Sequence, residues 1–159
     1  MHYPELLAPG AVFVLGLLIG SFLNVCIYRL PRGESILWPS SHCPKCGKPV
    51  GAMGNVPLLS FLLLRGRCRY CRERISWRYP LVELSNALGY LLIVEMFGYR
   101  PSSLVYAVFF SALLVVTCID FDHQIIPDEI TLPGMAIGVI AASAPPVTMA
   151  TTSPRRMRS

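Results

Sequence analysis

The chain has 159 residues, of which 53% are hydrophobic and only 14% charged, and its mean hydropathy is +0.53. Soluble domains carry about 25% charged residues, so this composition disfavours a soluble globular enzyme and a charge-rich disordered tail, and it puts the apolar runs in lipid. The net charge is +5, and ten of the fourteen basic residues lie between Arg29 and Arg78, opposed there only by Glu34 and Glu73; beside a hydrophobic span such a block marks a cytoplasmic loop more often than a nucleic-acid site.

The first element is predicted over residues 10–28. Gly10 to Ile27 is apolar except for Ser21 and Asn24, just long enough to span a bilayer at about 1.5 Å per residue. The preceding Met-His-Tyr-Pro-Glu has no Lys or Arg, which argues for a retained transmembrane helix over a signal peptide. Arg29 and Arg32 directly after the span put the N-terminus outside and the following loop inside. Gly16 and Gly20 form a small-xxx-small face suited to close helix packing, with Asn24 near the same face.

Residues 29–79 differ in kind. They are rich in Pro, Gly, Arg and Cys, and they hold one short apolar patch, Val56 to Leu64. That patch is too short to span, so it packs inside a loop domain or lies on the membrane surface. Cys43-Pro-Lys-Cys46-Gly47 and Cys68-Arg-Tyr-Cys71 are two C-x-x-C pairs with 21 residues between them. They suit a tetrahedral four-thiolate zinc site, closed and therefore structural. Two disulfides or four free thiols are the other readings, and a cytoplasmic loop disfavours disulfides.

Leu81 to Phe97 is the second span, interrupted by Glu83, Ser85, Asn86 and Glu95. Glu83 and Asn86 share a helix face and are expected to meet the first helix near Asn24, by default as a structural polar contact. Gly98-Tyr-Arg-Pro101 reads as a tight turn, and Leu104 to Ile119 is the third span. Cys26 and Cys118 sit within spans as packing residues. Asp120 to Glu129 is a polar break that Pro127 should turn away from the helix. Acids there are functional candidates because ionisable groups at membrane depth are costly, although that stretch alone favours plain interfacial charges. Ile130 to about Ala142 begins a fourth apolar stretch. Residues 143–159 lack helical periodicity and are expected to form a disordered or aberrant tail, its Arg155, Arg156 and Arg158 falling on the outside against the charge rule.

Several motifs together resemble one family. They are Gly20-Ser-Phe-Leu-Asn-Val-Cys-Ile-Tyr-Arg-Leu-Pro31, the two cysteine pairs, Asn55 to Cys71, Ile75-Ser-Trp-Arg-Tyr-Pro-Leu-Val-Glu83, and Asp120-x6-Pro127-Asp128. In this order, from about Gly16 to about Leu132, they resemble the type IV prepilin peptidases, bifunctional leader peptidases and N-methyltransferases of type IV pili and type II secretion. The resemblance implies an all-α polytopic protein of the bacterial inner membrane, with about four transmembrane helices here and a cytoplasmic zinc loop domain between the first two. It implies an aspartic peptidase that cuts prepilin and pseudopilin leaders on the cytoplasmic side, then methylates the new N-terminus with S-adenosylmethionine. It makes Asp120 catalytic and Cys43, Cys46, Cys68 and Cys71 ligands of a structural Zn2+, and it assigns no residue here to S-adenosylmethionine. Prepilins and membrane lipid are the expected partners. Nucleic acid is not, since no reading helix or base-stacking pattern is present.

The chain departs from the family at one point. The second aspartate of such enzymes lies in a G-x-G-D motif, which this sequence lacks; Asp122 and Asp128 are its only aspartates besides Asp120. Residues 81–142 are therefore expected to be the start of a peptidase membrane domain, cut short or continued out of frame, and inactive alone. The alternative reading is a non-catalytic membrane-anchored zinc module.

Overall fold

Predominantly apolar runs leave the backbone of residues 4–29, 78–97 and 101–123 no favourable state in lipid except helix, because every N–H and C=O must find its partner within the segment. The computed structural model describes residues 4–39, 41–50, 56–124 and 128–143. Its helices are α1 (Pro4–Arg29), α2 (Leu59–Leu63), α3 (Arg78–Phe97), α4 (Pro101–His123) and α5 (Asp128–Ser143), with a 3-10 turn, Leu30–Arg32, continuing α1. Among the described residues there is no strand, only isolated bridges pairing His42 with Pro49 and Arg67 with Arg74.

Three helical segments are long and apolar enough to cross a membrane: Ala8–Arg32, Arg78–Phe97 and Pro101–His123. They begin and end close to the three complete spans expected from the sequence. The fourth apolar stretch is also helical over its 16 described residues, Asp128–Ser143. The tail expected over residues 143–159 lies outside the described residues after Ser143, as does Pro127.

Helix α1 packs chiefly on α3, and α4 closes against both. Glycine makes the first contact possible. A Cβ on Gly16 would stand 2.6 Å from Ala87 Cα, and one on Gly20 would stand 2.7 Å from Glu83 Cα, so the two backbones touch as the small-xxx-small pattern predicts. The inward face of α4 is a stripe repeating every four residues: Ser103, Ala107, Ser111, Val115 and Ile119 are all buried. Leu23, Cys26, Ile27, Val82, Val115 and Ile119 form the core where the three helices meet, and Cys118 packs at its edge. The two membrane cysteines are thus packing residues, as expected. Leu18, Phe22, Leu88, Leu92, Leu104 and Phe109 remain exposed on the outside of the bundle, where lipid replaces protein as the apolar surround.

A polar chain joins the helices across this body. Asn86 Nδ2 donates to the Gly16 carbonyl at 2.8 Å, Ser111 Oγ donates to Asn86 Oδ1 at 2.8 Å, and Tyr90 and Ser111 share a hydroxyl bond of 2.9 Å. Among the described residues no buried side-chain nitrogen or oxygen lacks a partner, as a low-dielectric interior requires.

Candidate functional site

The loop between α1 and α3 is built from two turns of the same design. In the first, the Cys43 N–H bonds to Lys48 O (2.9 Å) and the Gly47 N–H bonds back to Cys43 O (2.8 Å). In the second, the Cys68 N–H bonds to Glu73 O (2.8 Å) and the Arg72 N–H bonds back to Cys68 O (3.0 Å). The residue closing each turn is left-handed: Gly47 at φ +67° and Arg72 at φ +57°. Glycine takes that conformation without steric cost, whereas an L-residue is strained there.

The turns place Cys43, Cys46, Cys68 and Cys71 with all four sulfurs within 4.8 Å of one another, and Cys43 Sγ lies 3.8 Å from Cys71 Sγ. Four thiolates at about 2.3 Å around one tetrahedral ion would stand about 3.8 Å apart. The cluster can therefore hold a metal ion with little rearrangement, and the donor set fits a soft or borderline cation. Electrostatics point the same way. The backbone N–H groups of Cys71 and then Tyr70 draw the Cys68 thiol down to about 6. The Glu73 N–H pulls Cys71 down too, but desolvation and the neighbouring thiols of Cys68, Cys46 and Cys43 outweigh it and push Cys71 up to about 11. A thiolate on Cys68 thus makes a second at Cys71 costly, and a bound cation removes that cost.

Two ties fasten the loop to the helical body, and a third bond holds α1 to the start of α3 where the loop ends. Arg29, at the end of α1, is buried, and its guanidinium donates to Ser35 O at 2.7 Å and Pro39 O at 2.6 Å. Asn24 Nδ2 donates to Tyr79 O at 3.0 Å in the first turn of α3. The Leu58 N–H, just before α2, donates to Glu83 Oε2 at 2.8 Å. Glu83 and Asn86 both reach the first-helix side of the bundle, as expected, but they serve different partners. Asn24 donates to Tyr79 O.

Asp120 is exposed in the last turn of α4, which ends where the Gln124 N–H bonds to Asp120 O at 2.8 Å. Asp122 is ion-paired with Arg78 at the start of α3. The pair brings the end of α4, the start of α3 and the base of the cysteine loop to one end of the bundle. Asp120 and Asp122, two apart on a helix, do not share a face. The Asp122 carboxylate is engaged by the Arg78 guanidinium and does not reach toward Asp120 from the same face of α4. Asp128 is exposed at the start of α5. Sequence reasoning missed Ser111 as a partner of Asn86 and Tyr90 as a partner of Ser111, although Ser103 and Ser111, eight apart in an apolar helix, mark the α4 stripe. It also read Arg29 only as a topology signal.

A cavity of about 340 Å³ opens between α1 and α4, lined by Leu23, Cys26, Leu30, Val108, Val115 and neighbours including Ser111. This nearly all-apolar lining does not suit S-adenosylmethionine, which needs partners for an adenine, a ribose and an amino-acid head.

A helical membrane protein with a four-cysteine loop between its first two spans and an aspartate at the end of the third is a narrow class. The chain belongs to the type IV leader peptidase family. Residues 14–97 match the family model described as the bacterial peptidase A24 N-terminal domain, and residues 107–154 match the type IV leader peptidase family. The chain is 47% identical over 131 residues to a prepilin leader peptidase/N-methyltransferase of Myxococcus xanthus, covering 82% of this chain and 39% of that protein. It is 41% identical over 149 residues to the Pseudomonas putida protein of the same name, covering 80% and 52%. It is 40% identical over 161 residues to the type 4 prepilin-like proteins leader peptide-processing enzyme of Escherichia coli, covering 90% and 60%. The chain thus spans about half the length of these curated relatives. No solved structure matches it.

Proposed function

We propose that this chain supplies the first part of a prepilin leader peptidase/N-methyltransferase in a bacterial inner membrane. The N-terminus lies outside, and the 29–79 loop and Asp120 lie on the cytoplasmic side. The observation that carries this reading is the gathering of the basic cysteine loop, Arg78 and Asp120 at one end of the bundle, where a leader presented from the cytoplasm would arrive.

Asp120 acts there as one of two carboxyls sharing a proton. The ionised member takes a proton from water as that water attacks the scissile carbonyl, and the protonated member polarises the carbonyl oxygen. The exposed carboxylate of Asp120 needs its partner from another helix, since Asp122 is held by Arg78. This chain by itself therefore does not cleave prepilin. Cys43, Cys46, Cys68 and Cys71 hold Zn2+, whose contribution is to fold the loop, because four thiolates leave no open coordination position. S-adenosylmethionine would supply the methyl group for the new N-terminus; the apolar α1–α4 cavity does not fit it, and no residue here is assigned to that step.

The test is complementation in a strain lacking its own prepilin peptidase, with pilin size read on a gel. Alone, the chain should leave pilin unprocessed. Joined to the remaining helices of a relative carrying G-x-G-D, it should restore processing, and Asp120→Asn should abolish it. Processed pilin from the chain alone, or from the Asp120→Asn fusion, would overturn the assignment.

A further inference from the structure

Helix α2, between the two cysteine turns, and Trp77, just after the second, carry an apolar ridge that nothing in the described fold covers. Leu62 and Leu63 are 67% and 70% exposed, Trp77 is 69% exposed, and Leu59 is exposed beside them. The other side of α2 is firmly seated. Phe61 is buried, meets the Trp77 ring edge-on at 4.9 Å, and lies so close to Gly66 that a Cβ there would fall 2.9 Å from its ring. An apolar strip this open is unusual on a surface facing water.

A second observation sets the height of α2 along the bundle. The Leu58 N–H is bonded to Glu83, and Glu83 lies five residues into α3, about 7.5 Å of rise from its first residue. Helix side chains lean toward the N-terminus. The tie therefore holds the start of α2 level with the first turns of α3, where a spanning helix leaves the hydrocarbon. Charge supplies a third observation. Arg65, Arg67, Arg69, Arg72 and Arg74 follow α2, all exposed, with only Glu73 among them.

We propose that α2 is an interfacial anchor. Leu59, Leu62 and Leu63 enter the acyl boundary of the bilayer that α1, α3 and α4 cross. The arginines that follow meet anionic headgroups, so the cysteine loop lies along the membrane surface. This proposal rests on the helices spanning a bilayer and is independent of the catalytic assignment. Short apolar strips flanked by basic residues bind anionic interfaces through buried area and charge together.

The test uses the full chain in phosphatidylglycerol-containing nanodiscs, with lipids brominated at shallow acyl positions as quencher. Trp38→Phe and Trp77→Phe remove both native tryptophans, and Leu63→Trp places a reporter on the ridge. The reporter should emit blue-shifted light, lose about half its intensity to brominated lipid and resist acrylamide. Adding Arg65→Glu, Arg67→Glu and Arg69→Glu should cut the lipid quenching at least about twofold. Leu62→Trp in the same background repeats the measurement if Leu63→Trp loses the parent's helical circular dichroism. Full acrylamide access without lipid quenching would overturn the proposal. Protection from both quenchers would place protein, such as a second copy of the chain, over the ridge and would overturn it equally. So would lipid quenching that the three glutamates leave unchanged.

Discussion

Between α1 and α3 the contact is backbone against backbone at Gly16 and Gly20, reinforced by the Asn86–Ser111–Tyr90 chain and by a shared core. Among the described residues from 33 to 77, by contrast, only Pro57 and Phe61 are buried, and the organising feature is four sulfurs within 4.8 Å. The helical body spreads its stability over many contacts, each individually modest. The loop concentrates its stability in one place. Damage should therefore be graded in the body and close to all-or-none in the loop.

The largest effect is expected from Cys43→Ser. Structural zinc contributes on the order of 10 kcal/mol to folding small Cys-rich units, and a three-thiolate site forfeits much of that. Metal content should fall from one ion per chain toward none, and limited proteolysis should cut within residues 33–77 while helical circular dichroism persists. Strong chelation of the wild-type chain should do the same. Retained metal with an uncut loop would remove the contrast between the two regions.

Next comes Gly20→Val. Its side chain would drive into Glu83 Cα, which is backbone and cannot step aside, so α1 and α3 must separate at a cost of about 1–3 kcal/mol or more. The measurement is the unfolding midpoint in detergent, with metal content unchanged. Asn86→Leu should cost less, about 0.6–2 kcal/mol, because bonds within membrane bundles are individually weak. Ser111→Ala combined with it should add little further, since both act on the same chain of bonds.

The smallest effect sharpens the comparison within the loop itself. Arg72→Gly should stabilise the second turn by about 1 kcal/mol through relief of its left-handed φ, tightening metal binding several-fold. The corresponding Gly47→Ala should weaken it. In metal-free protein at pH 7, Cys68 lies above its value of about 6 and is mainly thiolate, whereas Cys71 lies far below about 11 and is mainly thiol. Iodoacetamide should therefore label Cys68 well before Cys71, with the order read by peptide mass spectrometry.

Much of this was legible in the residues. Hydropathy marks spans because lipid forces helix on any long apolar run, and the Gly16–Gly20 spacing marks the close face because only a missing Cβ permits such an approach. The cysteine pairs announce their cluster through spacing alone. What stayed hidden is axial register. The sequence places Asn24, Glu83 and Asn86 on facing surfaces, but which of them meets which depends on how far one helix slides along the other. A shift of about two turns exchanges the partners. Hence Asn86 was expected near Asn24 and is found at Gly16. The helical turn at Leu59–Leu63 was equally hidden, since five apolar residues have no readable period. The second carboxylate of a peptidase centre cannot be read from motif spacing where G-x-G-D does not occur.

The bond from Leu58 to Glu83 also fixes where the chain can be cut and rejoined. By sequence, the natural seam for exchanging loops among relatives is residue 79, where composition changes. By structure, a transplanted loop arrives without its acceptor unless the first two turns of α3 travel with it, and those turns carry the surface that Gly20 packs against. A graft bounded at 29 and 79 would thus leave the donor loop loosely hinged on a foreign helix, whereas one extended through Asn86 would move the loop together with its mount.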